Sequence, residues 1–567
     1  MLTLFKARAI LTMNPSQPRA DAVLVRDGRI IEVGSVEQMT PWLDSHPHEV
    51  DDRFRDAVLT PGFIDPHLHP TMAAMILPMS FITALPWQLP WENVPATTDA
   101  SEFDARLKHL DANHPPGEPL IVWGYHQLWH GPMSRERINT INEERPIVVW
   151  HRSFHELYMG DGALNWLEID QAAVGKRPQI DLPGGHFFEN GLGFAISRLN
   201  PFLMHSDRYR LGLERLRAVV HQGGHTTVGD MAVGIFDFDM EMQTTRAVLD
   251  QDSVPFRVEM IPTALSLLRR FRSHPEILAF ADTLPEQNSH RLRFDKRVKL
   301  FADGAFFSQL AQVGEPGYID GHHGEWMMTP ETLEEAARVY WNAGYRIHLH
   351  VTGDLGLELG LDILEKLQWE RPRFNHGWTF EHFGFSTPEQ VQRVAALGAN
   401  VSANVYYLHE LSHIYAEQGI GYERASQMAR LKCCFDAGIC TAVHSDFTMA
   451  PAQPLNSAWV AANRINCEGD VMCPEERLSS EQALAAITIN AARILGREDE
   501  IGSIRAGKRA DFTVLAEDPL AVAPEQIRDI PILATVFEGQ VHPVRQNLAA
   551  EAQNPSGAEF GGSKQMS

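Results

Sequence analysis

Eight runs with strand character recur through the middle of the chain, at Leu59–Leu68, Thr226–Asp230, Phe256–Ile261, Val298–Ala302, Arg346–His350, Thr379–His382, Asn400–Ala403 and Ile439–His444. Helix signals lie between them. Thr329-Pro330-Glu331 offers an N-cap and a proline at the first helical position; apolar Leu333, Ala336, Ala337 and Tyr340 follow at helical spacing, and Gly344 closes the run. Thr387-Pro388-Glu389 repeats the pattern through Val391, Val394 and Ala395 to Gly398, and a third helix is predicted from Ser206 through Leu213, Leu216 and Val220 to Gly223. Strands alternating with helices in this number predict an α/β chain, a (β/α)8 TIM barrel.

Two stretches break the rhythm. The interval of about 72–206 is too long for one connection, so it is expected to be an inserted subdomain roofing the barrel mouth, with strand-like runs at Leu120–Gly124 and Ile147–Trp150. The chain ends alternate instead in the manner of hairpins: Leu4–Leu11, Ala22–Arg26 and Ile30–Val33 at the start, Phe512–Leu515, Ala534–Phe537 and Gln540–Val544 near the finish. Neither end can bury a core alone. One small β-sandwich is therefore predicted from residues 1–58 with 496–548, flanking a barrel over 59–495, and 549–567 reads as a disordered tail rich in Ala, Gly, Ser, Gln and Asn.

Composition narrows the partners. With 49 Lys plus Arg against 73 Asp plus Glu the net charge is −24, the opposite of what phosphate contact requires, so no nucleic-acid partner is expected. No run approaches the roughly 18 apolar residues of a membrane span, and the start, MLTLFKARAILTMNPSQ, lacks an apolar signal region. The five Cys are odd in number and form no C-x-x-C pair, which suits a reducing compartment. The expectation is a cytoplasmic protein acting on a small molecule, with no membrane partner; a homo-oligomer is compatible with the sequence.

Barrel active sites lie at the C-terminal ends of the strands. Here strand one ends in His67-Leu68-His69, strand four carries Lys299 in Val298-Lys299-Leu300-Phe301, strand five ends at His350, strand six at His382, and strand eight leads to Asp446. Singly these are weak signals. The chain has 26 His, and His-x-His also occurs at His46/His48, in a polar connection, and at His348/His350. A strand Lys usually snorkels to the surface, and Asp446 alone reads equally well as a helix cap. Jointly, ligand-type residues at five strand ends point to two divalent ions. Neutral imidazole and carboxylate suit Zn²⁺, and such paired ions stand about 3.5–4 Å apart around an activated water. Lys299 sits among apolar neighbours; carbamylated by CO₂, it becomes a carboxylate that can bridge.

These residues resemble the amidohydrolase superfamily, in its YtcJ-like, amidohydrolase family 3 subgroup. The matching motifs are TPGFIDPHLHP at 60–70, VKLFADG at 298–304, HVTGD at 350–354, EH at 381–382 and SDFTMAPAQPL at 445–455, followed by LSSEQALAAITINAARILG at 478–496 and IGSIRAGKRADFTVL at 501–515. The resemblance implies the barrel and the two-ended β-sandwich. It implies that His67, His69 and Asp446 hold the more buried ion, that His350 and His382 hold the other, and that carbamylated Lys299 bridges them. The family commonly carries Gly-Ser-Asp-Trp-Pro where this chain has His444-Ser445-Asp446-Phe447-Thr448, a departure beside the last ligand.

The reaction this implies is hydrolysis of a non-peptide C–N bond, with Asp446 as general base and then general acid. The insertion carries Phe81, Trp87, Trp91, Trp123, Tyr125, Trp129, Phe154 and Tyr158, and Phe306, Phe307, Tyr406 and Tyr407 follow strands four and seven. Most such aromatics are expected to pack the roof onto the barrel. The rest would line a pocket for an aryl or lipophilic amide, formamide or carbamate, with His155, Phe306 and Tyr406 as candidate substrate contacts. Two alternatives stay open: a deaminase or cyclic-amide hydrolase on the same scaffold, and a non-catalytic regulatory protein.

Overall fold

The computed structural model describes residues 1–177, 179–188 and 190–544; the expected tail, 549–567, lies outside the described residues. All eight expected central strands are present, and the fold is mixed α/β. They are β1 (Phe63–Leu68), β2 (His225–Val233), β3 (Arg257–Pro262), β4 (Arg297–Phe301), β5 (Arg346–Val351), β6 (Thr379–His382), β7 (Asn400–Asn404) and β8 (Thr441–His444). Every residue of β1, β2, β3, β6 and β8 is buried, charged ones such as Asp65, Asp230, Glu259 and Glu381 included, so these strands show no in-and-out alternation.

The strands pair in parallel as two arcs. One runs β1–β2–β3 and adds a three-residue strand, Leu292–Phe294, that the sequence pattern did not reveal; the other runs β4 to β8 in order. A parallel bridge joins the arcs at each edge, Leu68 with Phe447 and Thr263 with Lys299. The helices between them start where the caps predict. Pro330–Asn342 is capped by Thr329, whose side chain accepts from Thr332 N–H, and Pro388–Ala396 opens on a reciprocal capping box between Thr387 and Gln390.

The run expected as one strand over Leu59–Leu68 is two. Val58–Pro61 pairs with Leu2–Leu11 and Phe512–Leu515, so the boundary expected after residue 58 falls at Gly62 instead. A Cβ on Gly62 would lie 2.0 Å from Thr226 Oγ1, so only glycine lets the chain pass this close to β2. Strands from both termini meet, as expected, but their hydrogen bonding makes one continuous eight-stranded sheet rather than two separate ones. It has its own apolar core around Phe5, Ile10, Val23, Phe512 and Val536. Arg257, at the start of β3, ties it to the central strands through ion pairs with Asp511 and, at 3.1 Å, Glu538.

The long insertion builds a six-stranded sheet between Ser80 and Phe188, with Leu120–Tyr125 and Ile147–His151 side by side in it. Among the described residues no helix is long and apolar enough to cross a membrane.

Candidate metal centre

All six residues expected to hold metal converge at one end of the central strands. His69 Nε2 lies 2.8 Å from Asp446 Oδ1, His67 Nε2 lies 3.6 Å from the same oxygen, and His382 Nδ1 is 3.6 Å from Asp446 Oδ2. The His350 and His382 rings stand 4.3 Å apart, and Lys299 Nζ is 3.5 Å from His67 Nε2. The grouping differs from the expected one: His382, 4.3 Å from His350 between ring centroids, also lies 4.6 Å from His67 and beside Asp446.

Local backbone geometry aims these side chains. His382 and Asp446 adopt left-handed φ values of 71° and 55°, a conformation that costs non-glycine residues energy and gathers at functional sites. Strand alternation alone would send Glu381 and His382 to opposite faces. The turn at His382 lets both serve the same centre.

Behind the ligands lies a buried polar layer. Glu381, fully buried, lies 2.8 Å from His67 Nδ1 and 2.7 Å from His348 Nδ1. Holding Nδ1 of His67 leaves its Nε2 to face the centre, the usual way a carboxylate fixes a ligand imidazole. Asp65 accepts from the backbone N–H of His67 at 3.2 Å and from the N–H and hydroxyl of Ser445, tying the two ligand-bearing strand ends together. The sequence reading missed both carboxylates, because a buried Asp or Glu has no type-level mark that separates it from a surface one.

The donor set fits a cation. His69 Nδ1, His350 Nε2, His382 Nδ1 and His444 Nε2 are buried with no hydrogen-bond partner, an arrangement that a bound ion resolves for the ring nitrogens facing it. Burial, reinforced by the neighbouring Lys299 charge, holds His67 and His350 well below the ordinary imidazole range; burial and then His350 do the same for His382. These rings are therefore neutral, the form a metal requires. Burial brings Lys299 down to about 8, against the pull of Glu381 and Asp446.

The centre forms the floor of a cavity of about 570 Å³. Its walls are largely apolar, with Met72, Leu192 and Ile196 from the insertion, Phe301 from the end of β4, and Phe236, Phe307, Trp326 and Met327 from the segments above the strands. His155 lines it, as expected. Phe306 and Tyr406 do not, and their neighbours Phe307 and Tyr407 do. Phe306 opens a one-turn 3-10 helix and packs on Tyr407 and Tyr415, while Tyr406 turns away to donate to Pro451 C=O at 3.1 Å just ahead of a π-helix at Tyr407–Leu411. One residue of phase in these irregular turns decides which ring meets the cavity. Most roof aromatics pack instead: Phe81, Trp87 and Trp123 form a cluster with centroids 5.1–5.7 Å apart.

A profile of the amidohydrolase family matches residues 55–542. The chain belongs to the amidohydrolase family. It is 24% identical to YtcJ of Bacillus subtilis over 94% of this chain and 97% of that one. It is also 24% identical to the N-substituted formamide deformylase of Arthrobacter pascens, over 94% and 96%. Its fold is similar to that of a metal-dependent hydrolase from Pyrococcus horikoshii, with a TM-score of 0.71, 21% identity, and coverage of 92% of this chain and 99% of that one.

Proposed function

We propose that this chain is a metal-dependent hydrolase that cleaves a non-peptide C–N bond in a lipophilic or aryl amide, formamide or carbamate. The observation that carries the reading is the convergence of His67, His69, Lys299, His350, His382 and Asp446, with buried partnerless nitrogens, at the floor of an apolar cavity. Family membership and the resemblance to a formamide deformylase support the same chemistry. In this reading the two strand arcs, bridged at both edges, act as one closed (β/α)8 barrel, and the two-ended sheet is the small β-domain beside it.

His67, His69, His382 and Asp446 would hold the more buried cation, with His350 and Lys299 toward a second. Zinc suits this set of nitrogen and oxygen donors. A bound divalent ion supplies Lewis acidity toward the scissile carbonyl and makes water acidic enough to react near neutral pH. Asp446 accepts the proton released by the attacking water and returns it to the leaving nitrogen, so one carboxylate serves as base and then acid. His155, on the roof loop, donates to the substrate carbonyl oxygen, and the apolar walls exclude bulk water from the reacting carbon. Burial brings Lys299 down to about 8, so its neutral amine is accessible; that amine would add to CO₂ and lose a proton to solvent, giving an anionic carbamate whose charge a bound cation would offset.

The test is a panel of N-substituted formamides, aryl amides and carbamates, offered to protein of known metal content before and after chelation. Amine plus acid, or amine plus formate, is expected. Ammonia as the only nitrogen product would move the assignment to deamination. A metal-free protein with no hydrolysis would move it to a binding role.

A further inference from the structure

His444 stands where the resembled motif carries glycine, and nothing in that motif gives it work. Its ring nonetheless occupies the heart of the centre. Its centroid lies 4.4 Å from that of His67 and 5.2 Å from that of His382. One ligand atom from each of His67, His382 and His444 lies within 4.8 Å of the others. A second trio, His67, His69 and Asp446, meets the same condition.

The two nitrogens of His444 are differently placed. Nδ1 sits 2.8 Å from Ser402 Oγ and 3.7 Å from Glu381 Oε2, so a proton there is held by a hydroxyl backed by a carboxylate. Nε2 is buried and has no partner. With the Nδ1 proton directed at Ser402 Oγ, the lone pair lies on Nε2. Glu381 anchors His67 in the same way through Nδ1. An Nδ1 held by a buried oxygen, which turns Nε2 toward the centre as in His67 and His444, is the arrangement that orients imidazoles toward a metal. Neighbouring nitrogens on a tetrahedral zinc stand about 3.4 Å apart at Zn–N bonds of about 2.1 Å, so closing the trio takes shifts of about an ångström per ring.

We propose that His444 is a metal ligand in this chain, completing with His67 and His382 a three-imidazole nest for one divalent cation. This rests on the metal-dependent reading above. Because His67 belongs to both trios and one lone pair serves one ion, both describe a single histidine-rich position, flanked by His69 and Asp446.

The test uses full-length protein stripped with a chelator and reloaded with Co²⁺ or Zn²⁺. X-ray absorption at one equivalent of Zn²⁺ is expected to count one imidazole more on the ion in the wild type than in His444→Gly; equal counts would overturn the proposal. His444→Gly and His444→Gln are expected to weaken Zn²⁺ at least tenfold in competition with a chromophoric chelator and to alter the visible Co²⁺ bands. Folded variants with unchanged affinity and bands would overturn it. Wild-type protein that takes up no cation would instead defeat the metal-dependent reading itself.

Discussion

Asp446 is asked to do two things, and its surroundings permit both. It holds a left-handed φ of 55° two residues beyond β8, and its two oxygens face His69, His67 and His382. Asp446→Asn keeps the shape and loses the base. Turnover is expected to fall by about 10²–10⁴ with the fold intact, measured as kcat on metal-quantified protein; near-normal turnover would remove Asp446 from the proton path. Lys299→Ala is expected to lose one equivalent of metal, with partial recovery on adding a short carboxylic acid, checked by elemental analysis. The six candidate metal residues were legible as a group because their positions follow the strand count. Glu381 and His444 were not, since burial and side-chain aim, rather than residue type, give them their places.

At the scale of elements, the roof is fastened to the central strands by a buried charge pair. Arg152, which follows the roof strand Ile147–His151, pairs with Glu410 in the π-helix after β7, donates to Met449 C=O at 2.8 Å and lies 4.9 Å from the Phe307 ring. The loop it opens carries Phe154, at φ 65°, and His155 into the cavity wall. Glu410→Gln leaves Arg152 buried without its counter-charge. A loss of about 3 kcal/mol is expected in denaturant unfolding, together with a raised KM from a loosened His155 loop; an unchanged midpoint would show that the pair carries no load. Helix boundaries were readable because Thr-Pro-Glu caps act locally. The roof strands are two to six residues long; local apolar runs mark Leu120–Tyr125 and Ile147–His151, while the shorter strands are set by pairing with other roof segments.

The whole molecule couples its ends to its middle. The terminal sheet closes through Val58–Pro61 against Phe512–Leu515, and Arg257 of β3 joins that sheet through Asp511 and Glu538, so loss of the C-terminal segment leaves a buried charge unpaired. Acid sensitivity follows from histidines buried far from the centre. Burial brings His225, at the start of β2, down to about 4, partly offset by its bond to Val220 C=O. The unfolded chain then binds a proton between about pH 6.5 and 4 that the folded one refuses. Its stabilising contribution is complete above about 6.5 and is lost as pH falls through that window. Metal-stripped wild type is expected to lose thermal stability from pH 7 to 4.5 more steeply than His225→Gln; parallel slopes would contradict this. The α/β architecture was legible at this scale because strand-length segments alternate with capped helices along the chain. The single sheet made from both ends was only half legible, since each end shows hairpins without showing its partner.

The central claim is that bound metal at the His67–Asp446 centre drives C–N bond hydrolysis. The direct measurement is hydrolysis of an N-substituted formamide and an aryl amide by one preparation, assayed as purified, after chelation, and after reloading with Zn²⁺. Turnover that tracks metal content, vanishes on chelation and returns on reloading is the predicted result. Hydrolysis that persists in metal-free protein, or its absence across amides, formamides and carbamates in fully loaded protein, would contradict the account.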